Sequence, residues 1–520
     1  MITELIFGRR SKKLKFVALI LLIFFLASGT SIAADRPNIL LILADDLGYG
    51  DLSCYNSESK VITPNIDCLA LSGMRFLDAH SPCTVCTPSR YSLMTGQMGF
   101  RIPNGGTVFT GVGGPSLIAP GRLTLPKLLQ DRGYSTACVG KWHVGLTFSD
   151  RDGKPVRANG VEGIKQVDFS KRVEGGPTDH GFDYFFGTAC CPTTDWLYAF
   201  IENDRVPVPP TQLLDKTHLP KHPYANDCRQ GMIADGFSME EVDLKFLEKS
   251  QAFLANHARQ TPDKPFFLFH STQAVHLPSF AASQFQGKSN AGPHGDFIVE
   301  LDYIVGELVS TLQRLELADN TLIIFSSDNG PEVTSVVHMR ADYAHDGARP
   351  WRGVKRDHWE GGHRVPFIVS WPGKVSRNTQ SNQITSLTDV LATVAGIVNM
   401  ELPENCAEDS YNMLPAWLNS DHPQIGPYLL TQAFAGPKTV AIRKGDWKYI
   451  DHPGSGGNRY ENDSALKAFR LPDNAPNATG QLYNLARDPG ETNNQVESNP
   501  EMASELKSLL EQSRKSGRSR

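Results

Sequence analysis

The 520-residue sequence has no internal window dense in lysine and arginine, and its 51 basic side chains are outnumbered by 56 acidic ones, a formal charge of −5. That argues against a nucleic-acid surface. Cysteine is scarce and scattered, at Cys54, Cys68, Cys83, Cys86, Cys138, Cys190, Cys191, Cys228 and Cys406. So sparse a set does not make a disulfide framework in a chain of this length. Beyond residue 27 no apolar run approaches the ~20 residues of a spanning helix, and there is no internal repeat or sustained heptad. What is present is 40% hydrophobic and 21% charged residues, enough to bury a large core. The 45 glycines and 34 prolines imply many loops. Length suggests two to three domains.

The one long apolar run lies at the start. Arg9, Arg10, Lys12, Lys13 and Lys15 precede residues 16–27, and Ser31 and Ala33 then supply the small residues of a cleavage site. Residues 1–33 read as a signal peptide, which makes the protein exported, periplasmic or secreted, with no stable membrane insertion after cleavage. The alternative, an uncleaved anchor, meets a run shorter than a span of ~20 residues. No cysteine follows the run, which disfavours a lipoprotein.

Five short apolar runs without alternation, 39–43, 135–139, 265–270, 322–325 and 365–371, suit strands buried on both faces of a sheet. Between them, Leu301, Ile304, Val305, Leu308, Leu312 and Leu315 make a helical stripe. Residues 125–132 form a second helix capped by Gly133, and Phe246, Leu247, Phe253 and Leu254 mark a third. The expected fold class is therefore α/β, a large and mostly parallel sheet flanked by helices, over a catalytic domain at 35–400. Residues 401–520 read as a smaller subdomain. It holds antiparallel strands at 428–432, 439–442 and 447–450, a terminal helix at 502–510 and a frayed tail at 513–520. The stretches 96–121 and 149–176 are long loops.

The chemistry-bearing residues follow the apolar runs, where ligands bind in parallel sheets. Asp45-Asp46 and Asp328-Asn329 each stand directly after a strand. Three carboxylates and an amide suit Ca²⁺ or Mg²⁺ rather than zinc, although either pair taken alone reads first as the cap of a helix or turn. Cys83-Thr-Val-Cys86-Thr87-Pro88-Ser89-Arg90 is more specific. A redox pair or a structural disulfide are the plain readings. Against them, Thr87 is a good N-cap and Pro88 a good first helical residue, which sets Cys86 at a helix mouth with Arg90 one turn in.

Cys86-Thr87-Pro88-Ser89-Arg90 with Leu93-Met94-Thr95-Gly96, and Gly133-Tyr134 through Gly140-Lys141-Trp142-His143, give the chain its resemblance to a known family. It resembles the type I sulfatases, the formylglycine-dependent branch of the alkaline-phosphatase superfamily. The resemblance extends over Asp45-Asp46, Ser327-Asp328-Asn329-Gly330, Glu360-Gly361-Gly362 and Leu482-Tyr483-Asn484-Leu485. It implies a sulfuric ester hydrolase in which a maturation enzyme converts Cys86 to formylglycine, whose hydrate is the nucleophile. It also implies that Asp45, Asp46, Asp328 and Asn329, with residue 86, match the ligands of one Ca²⁺ per chain. Arg90, Lys141, His143, His276 and Lys355 match the residues that hold formylglycine and the sulfate. Two departures are visible: Val275 precedes His276 where proline is common, and Arg356-Asp357 follow Lys355 where small residues are frequent.

His345, Asp346, Arg349, Trp351, Arg352, His358, Trp359 and His363 form an unusually dense polar and aromatic stretch. Either it is a solvated loop or it is a sugar subsite, with His345, Asp346, Arg349, Trp359 and His363 as substrate-binding residues. With export, the second reading makes a sulfated saccharide the expected substrate. A small aryl or alkyl sulfate is the alternative. A phosphonate monoester or phosphodiester hydrolase of the same chemistry, and a silent binding protein with Cys86 unmodified, stand behind these.

Overall fold

The computed structural model describes residues 36–434 and 439–520, so the expected signal peptide lies outside the described residues. Asn38–Arg520 form one compact unit. Its centre is a nine-stranded sheet. From edge to edge the strands are Thr379–Ser381, Met74–Phe76, Phe367–Ser370, Thr321–Ser327, Asn38–Ala44, Phe266–Ser271, Ser135–Lys141, Tyr184–Thr188 and Ile201–Glu202. All five apolar runs are strands of it. The five strands from Thr321–Ser327 to Tyr184–Thr188 run parallel. Phe367–Ser370, the fifth run, pairs antiparallel with Thr321–Ser327. A continuous apolar run reports burial on both faces but carries no sign of strand direction.

Asn38–Ala44 is buried along its whole length between two parallel neighbours. Helices flank the sheet. Pro64–Ser72, Val242–Gln260 and Gly292–Arg314 pack in one group, and Cys86–Thr95, Leu125–Asp131 and Val390–Ile397 in another. The stripe Leu301, Ile304, Val305, Leu308 and Leu312 on Gly292–Arg314 is fully buried. Cys406, Met413 and Trp417 also belong to this main core.

Leu429–Gln432, Val440–Lys444, Trp447–Ile450 and Gln481–Asn484 make a separate, wholly antiparallel sheet. One face carries Leu430, Val440, Ile442 and Leu482 against Leu506 and Leu510 of the terminal helix Pro500–Ser516. The other face carries Ala441, Ile450 and Tyr483 against Val354 and Trp359. The tail is not frayed as the sequence suggests. Ser513 Oγ accepts from Arg101 at 3.0 Å, and the backbone amides of Ser519 and Arg520 both donate to the Glu408 carbonyl at 3.1 Å.

The helix bearing Cys86 runs from Cys86 to Thr95. It begins earlier than the Thr87-Pro88 signal implies. Val85 is the N-cap, and Thr87 lies inside the helix, its hydroxyl accepting from the Phe109 amide at 3.4 Å.

Candidate active site

Four parallel strands end at one place. Asp45 and Asp46 follow the first, Asp328 and Asn329 follow Thr321–Ser327, Lys141 closes Ser135–Lys141, and His276 lies just past Phe266–Ser271. Gly140 lets this happen, with φ at +116° and its Cα so close to the neighbouring strand that a Cβ would lie 1.7 Å from the Ser271 carbonyl oxygen. Asp46 and His143 also adopt positive φ, 60° and 57°, which turns both side chains off the end of extended chain.

Every residue expected to act in catalysis or metal binding is buried and falls into this one cluster. Arg90 Nε donates to Asp328 Oδ2 at 2.8 Å, and Nη1 donates to the Lys141 carbonyl at 2.9 Å and Ser271 Oγ at 2.6 Å. Lys141 Nζ donates to Asp45 Oδ2. Lys355 Nζ is 2.7 Å from the Asp46 carboxylate and 3.6 Å from Glu332. Asn329 Nδ2 donates to Asp46 Oδ1 at 2.7 Å, and the Asp46 amide donates to Asp328 Oδ1 at 3.2 Å. His276 Nε2 sits 3.8 Å from Asp46 Oδ2 and 3.7 Å from the Cys191 sulfur. His143 Nε2 lies 2.7 Å from the Phe109 carbonyl oxygen.

Two oxygens in the middle of this network have no partner: Asp45 Oδ1 and Asn329 Oδ1. Each is buried, and a buried acceptor without a donor costs roughly 1–3 kcal/mol. Asp45, Asp46 and His276 also offer ligand atoms within 4.8 Å of one another. Hard oxygens left unpaired beside clustered carboxylates fit a calcium or magnesium ion.

The electrostatics agree with this donor set. Burial pushes Asp45 above the ordinary carboxylate range, against the pull of Lys141 and Arg90. Burial, with repulsion from Asp45, pushes Asp328 up to about 7. At Asp46 burial acts upward too, but Lys355 and His276 prevail and hold it low. Burial lowers His276 to about 4, so its ring is neutral at pH 7. A hydrogen bond from Cys191, with Lys141 and His143 nearby, holds the Cys86 thiol well below its ordinary value. The cluster thus stabilises an anionic sulfur or oxygen at position 86.

The five residues expected to bind sugar are elsewhere engaged. His345 Nε2 is 2.9 Å from Asp51 Oδ1, and its Nδ1 accepts from the Lys60 amide. Asp346 accepts from Arg340 at 2.9 Å, and Arg349 pairs with exposed Glu58. Trp359 is buried beneath the small sheet, with the Arg352 guanidinium 3.4 Å from its ring centroid. His363 belongs to a buried ionic network with His80, Glu360 and Lys448. None of the five bonds to the Asp45–Lys355 cluster, and Trp359 has no free face for a pyranose. At Trp359 and His363 this density reflects packing between the two sheets, while His345, Asp346 and Arg349 are taken up by Asp51, Arg340 and Glu58.

Several neighbours of the cluster carry no signal in the sequence. Glu332 pairs with both Lys355 and Arg356. Cys191 touches Cys86 and His276, and its backbone amide donates to Asp195 at 3.3 Å. Burial raises Asp195 to about 6 despite the cations around it, among them Arg229, which lies over the Trp196 ring.

Buried cations and unpaired hard oxygens, gathered at parallel strand ends around residue 86, suit an enzyme that acts on an anionic ester. Comparison with known proteins narrows the class. The sulfatase family model matches residues 37–400, and the chain belongs to the sulfatase family, a sulfuric ester hydrolase of the alkaline-phosphatase superfamily. It is 34% identical to an N-acetylgalactosamine-6-O-sulfatase of Bacteroides thetaiotaomicron, over 92% of this chain and 93% of that protein. It is 30% identical to human arylsulfatase A, over 94% and 89%. A solved structure from work on glycosaminoglycan metabolism by Bacteroides thetaiotaomicron superposes with a TM-score of 0.77 at 31% identity, covering 93% of this chain and all of that one. Among the described residues no helix is long and apolar enough to cross a membrane.

Proposed function

We propose that this enzyme releases inorganic sulfate from a sulfated carbohydrate, with Cys86 converted to formylglycine and one Ca²⁺ bound by Asp45, Asp46, Asp328, Asn329 and residue 86. The observation that carries the reading is the pair of unpartnered buried oxygens, Asp45 Oδ1 and Asn329 Oδ1, beside residue 86 and its cations. The carbohydrate preference rests on similarity to the N-acetylgalactosamine-6-O-sulfatase. Formylglycine at position 86 would supply a hydrated aldehyde as the nucleophile, and a calcium ion held by Asp45, Asp46, Asp328 and Asn329 would supply a Lewis acid for the ester's charge.

The chain's own residues do the rest. Arg90 is fixed by Asp328, Ser271 and the Lys141 carbonyl, so its charge is aimed before substrate arrives. Lys141 and Lys355 are fully charged, held so by Asp45 and by Asp46 with Glu332 despite burial. They face the negative charge that develops on the sulfuryl oxygens. The leaving alcohol needs a proton, and Lys355 and His276, both beside Asp46, are the two groups placed to give it. Export to the periplasm or outside the cell belongs to the same reading.

The test is to co-produce the chain with a formylglycine-forming enzyme and measure sulfate release from N-acetylgalactosamine 6-sulfate and from an aryl sulfate. The mass of the peptide bearing residue 86 is read alongside. The expected result is an aldehyde mass, faster turnover of the sugar ester, and loss of activity on chelation with recovery on adding Ca²⁺. Cys86→Ala should lose activity about 10⁴-fold or more. An intact thiol in active protein overturns the nucleophile, and efficient turnover of the aryl ester alone overturns the carbohydrate reading.

A further inference from the structure

Asp243 lies in the first turn of the helix Val242–Gln260, where a carboxylate ordinarily answers the unpaired amides and the dipole of its own helix. Here it is buried, and both its oxygens go elsewhere. Oδ1 accepts from the Gln273 amide at 2.8 Å and Oδ2 from the Ala274 amide at 2.9 Å, in the turn just past the strand Phe266–Ser271. Burial pushes this carboxyl up to about 7 against the pull of the two amides. One acceptor oxygen on each of two successive amides fixes both the place and the tilt of the turn, which a single acceptor does not.

That turn carries His276. The Gln273 carbonyl accepts from the His276 amide at 2.9 Å, and Gln273 Nε2 donates to the His276 carbonyl at 3.2 Å and to Thr193 Oγ1 at 2.9 Å. Gln273 therefore grips the backbone of His276 on both sides, and Asp243 fixes Gln273. The ring is set from the same turn. Its Nδ1 meets the Leu277 carbonyl, which Thr194 Oγ1 holds at 2.7 Å. A carbonyl can only accept, so Nδ1 carries the proton of that bond and Nε2 is the atom left facing the site, 3.8 Å from Asp46 Oδ2 and 3.7 Å from the Cys191 sulfur. The turn is also tied to the neighbouring strand end: the Asp45 amide donates to the Ala274 carbonyl at 3.0 Å, and the Val275 amide donates to the Asp45 carbonyl at 2.7 Å.

We propose that Asp243 is a positioning residue for the reaction: through Gln273 it holds the His276 ring where Nε2 meets the oxygen of the departing alcohol. Asp243 itself touches no reacting atom. A misplacement of about 1 Å in a group that must meet a reacting atom costs about 10²-fold in rate, so a carboxylate outside the reacting cluster can control the chemical step without altering how substrate binds. This inference rests on the reading of His276 as one of the two groups that give the leaving alcohol its proton.

The test uses the mature enzyme with saturating Ca²⁺ and two esters, 4-nitrophenyl sulfate, whose phenolate leaves without a proton, and N-acetylgalactosamine 6-sulfate, whose alkoxide does not. Phenyl sulfate takes the sugar's place if no saccharide is cleaved, which keeps the carbohydrate reading a separate question. Asp243→Asn leaves a side-chain NH₂ facing one of the two backbone donors. It should lose about 10²-fold in kcat on the ester with the basic leaving group and less than about fivefold on the nitrophenyl ester, with KM within about twofold on both. His276→Ala should show the same asymmetry, and adding Asp243→Asn to it should cost no further kcat. Gln273→Met, a milder change in the same chain of contacts, should lose about tenfold with the same asymmetry, and it carries the comparison if Asp243→Asn does not fold. Calcium titration of the metal-free variants by calorimetry should match wild type within about twofold. Equal losses on the two esters, a full further loss in the double variant, or a fall in calcium affinity in proportion to kcat overturns the proposal, since Asp243 then acts through the fold or through Asp45. A His276→Ala variant that treats the two esters alike overturns the reading of His276 as a proton donor, and the role of Asp243 with it.

Discussion

Two of the buried clusters of charge among the described residues are built on opposite terms. Around Asp45, Asp46, Asp328, Arg90, Lys141 and Lys355, two acceptor oxygens lack donors, and burial with mutual repulsion forces Asp45 and Asp328 above the carboxylate range. Around Asp78, Glu360, Arg364, Arg443 and Lys448, between the large and small sheets, the charges answer one another. Arg364 and Arg443 both reach Asp78 at 2.7 Å, and Lys448 Nζ reaches Glu360 and Glu491 at 2.9 Å. Burial opposes ionisation there too, yet Arg364, His80 and Arg443 hold Asp78 far below its ordinary value, and Lys448 and Arg364 do the same for Glu360. Equal burial thus yields a joint in which only Glu491 is pushed up, to about 7, by burial and by Glu360, and a binding site in which Asp45 and Asp328 are both raised and Asp45 Oδ1 and Asn329 Oδ1 are left without donors.

Removing a carboxylate from the unmatched cluster should cost function and spare the fold. Asp45→Asn is expected to lose about 10²- to 10³-fold in kcat, the loss seen when one preorganised charge-stabilising group is removed. Its metal-free midpoint in urea should fall less than that of Lys448→Met, because an asparagine at position 45 still accepts from Lys141 and Arg90 keeps Asp328 as its partner. A variant that keeps activity, or that unfolds easily, would contradict the contrast. The matched cluster should behave in reverse. Lys448→Met removes the cation between Glu360 and Glu491 and should destabilise the protein by about 3–5 kcal/mol in urea unfolding. Folded variant protein should retain kcat on a small sulfate ester, since none of its lost contacts reaches residue 86.

The pH dependence of stability sharpens the same difference. Asp328 titrates at about 7 in the folded chain against 3.8 for its ordinary value, so folded protein binds more protons than unfolded protein between those limits. Metal-free stability should therefore fall as pH rises from about 4 to about 7, by up to about 1.4 kcal/mol per pH unit from this group. Calcium should flatten the slope by stabilising the ionised carboxylates. Asp78, whose folded value is depressed, contributes stability above its unfolded value and loses it only as pH falls through more acidic values, so it adds no slope there, whereas Glu491, pushed up to about 7, adds a slope that calcium should leave unchanged. Urea melts at pH 5 and 7.5, with chelator and with Ca²⁺, check this; identical slopes in both would mean that no cation binds the cluster.

The first cluster could be read in the sequence because each of its acids stands directly after an apolar run, and parallel strands deliver such ends to one edge. Capping signals and helical spacing set Cys86 and Arg90 together at a helix mouth, whereas the roles of Lys141, His276 and Lys355 are legible only through family motifs. The second cluster was legible only as composition. Trp359 and His363 look the same in sequence whether a sugar or Arg352 and Lys448 covers them, and those partners come from seven residues upstream and from a different sheet. Direction failed for a similar reason. Phe367–Ser370 is as apolar as its parallel neighbours, and only its connection decides that it runs the other way. The tail, polar enough to read as frayed, is held by Arg101 and the Glu408 carbonyl, contacts more than a hundred residues away.

The smallest effect belongs to a residue in neither cluster. Arg349 has about half its side chain in solvent and pairs with equally exposed Glu58. An exposed pair of this kind contributes about 0–1 kcal/mol, since water screens both charges and the long side chains lose rotamer freedom in meeting. Arg349→Ala should therefore shift the urea midpoint barely at all and leave KM for a sulfated saccharide within about twofold of wild type. A tenfold rise in that KM with unchanged kcat would return Arg349 to the substrate-binding surface.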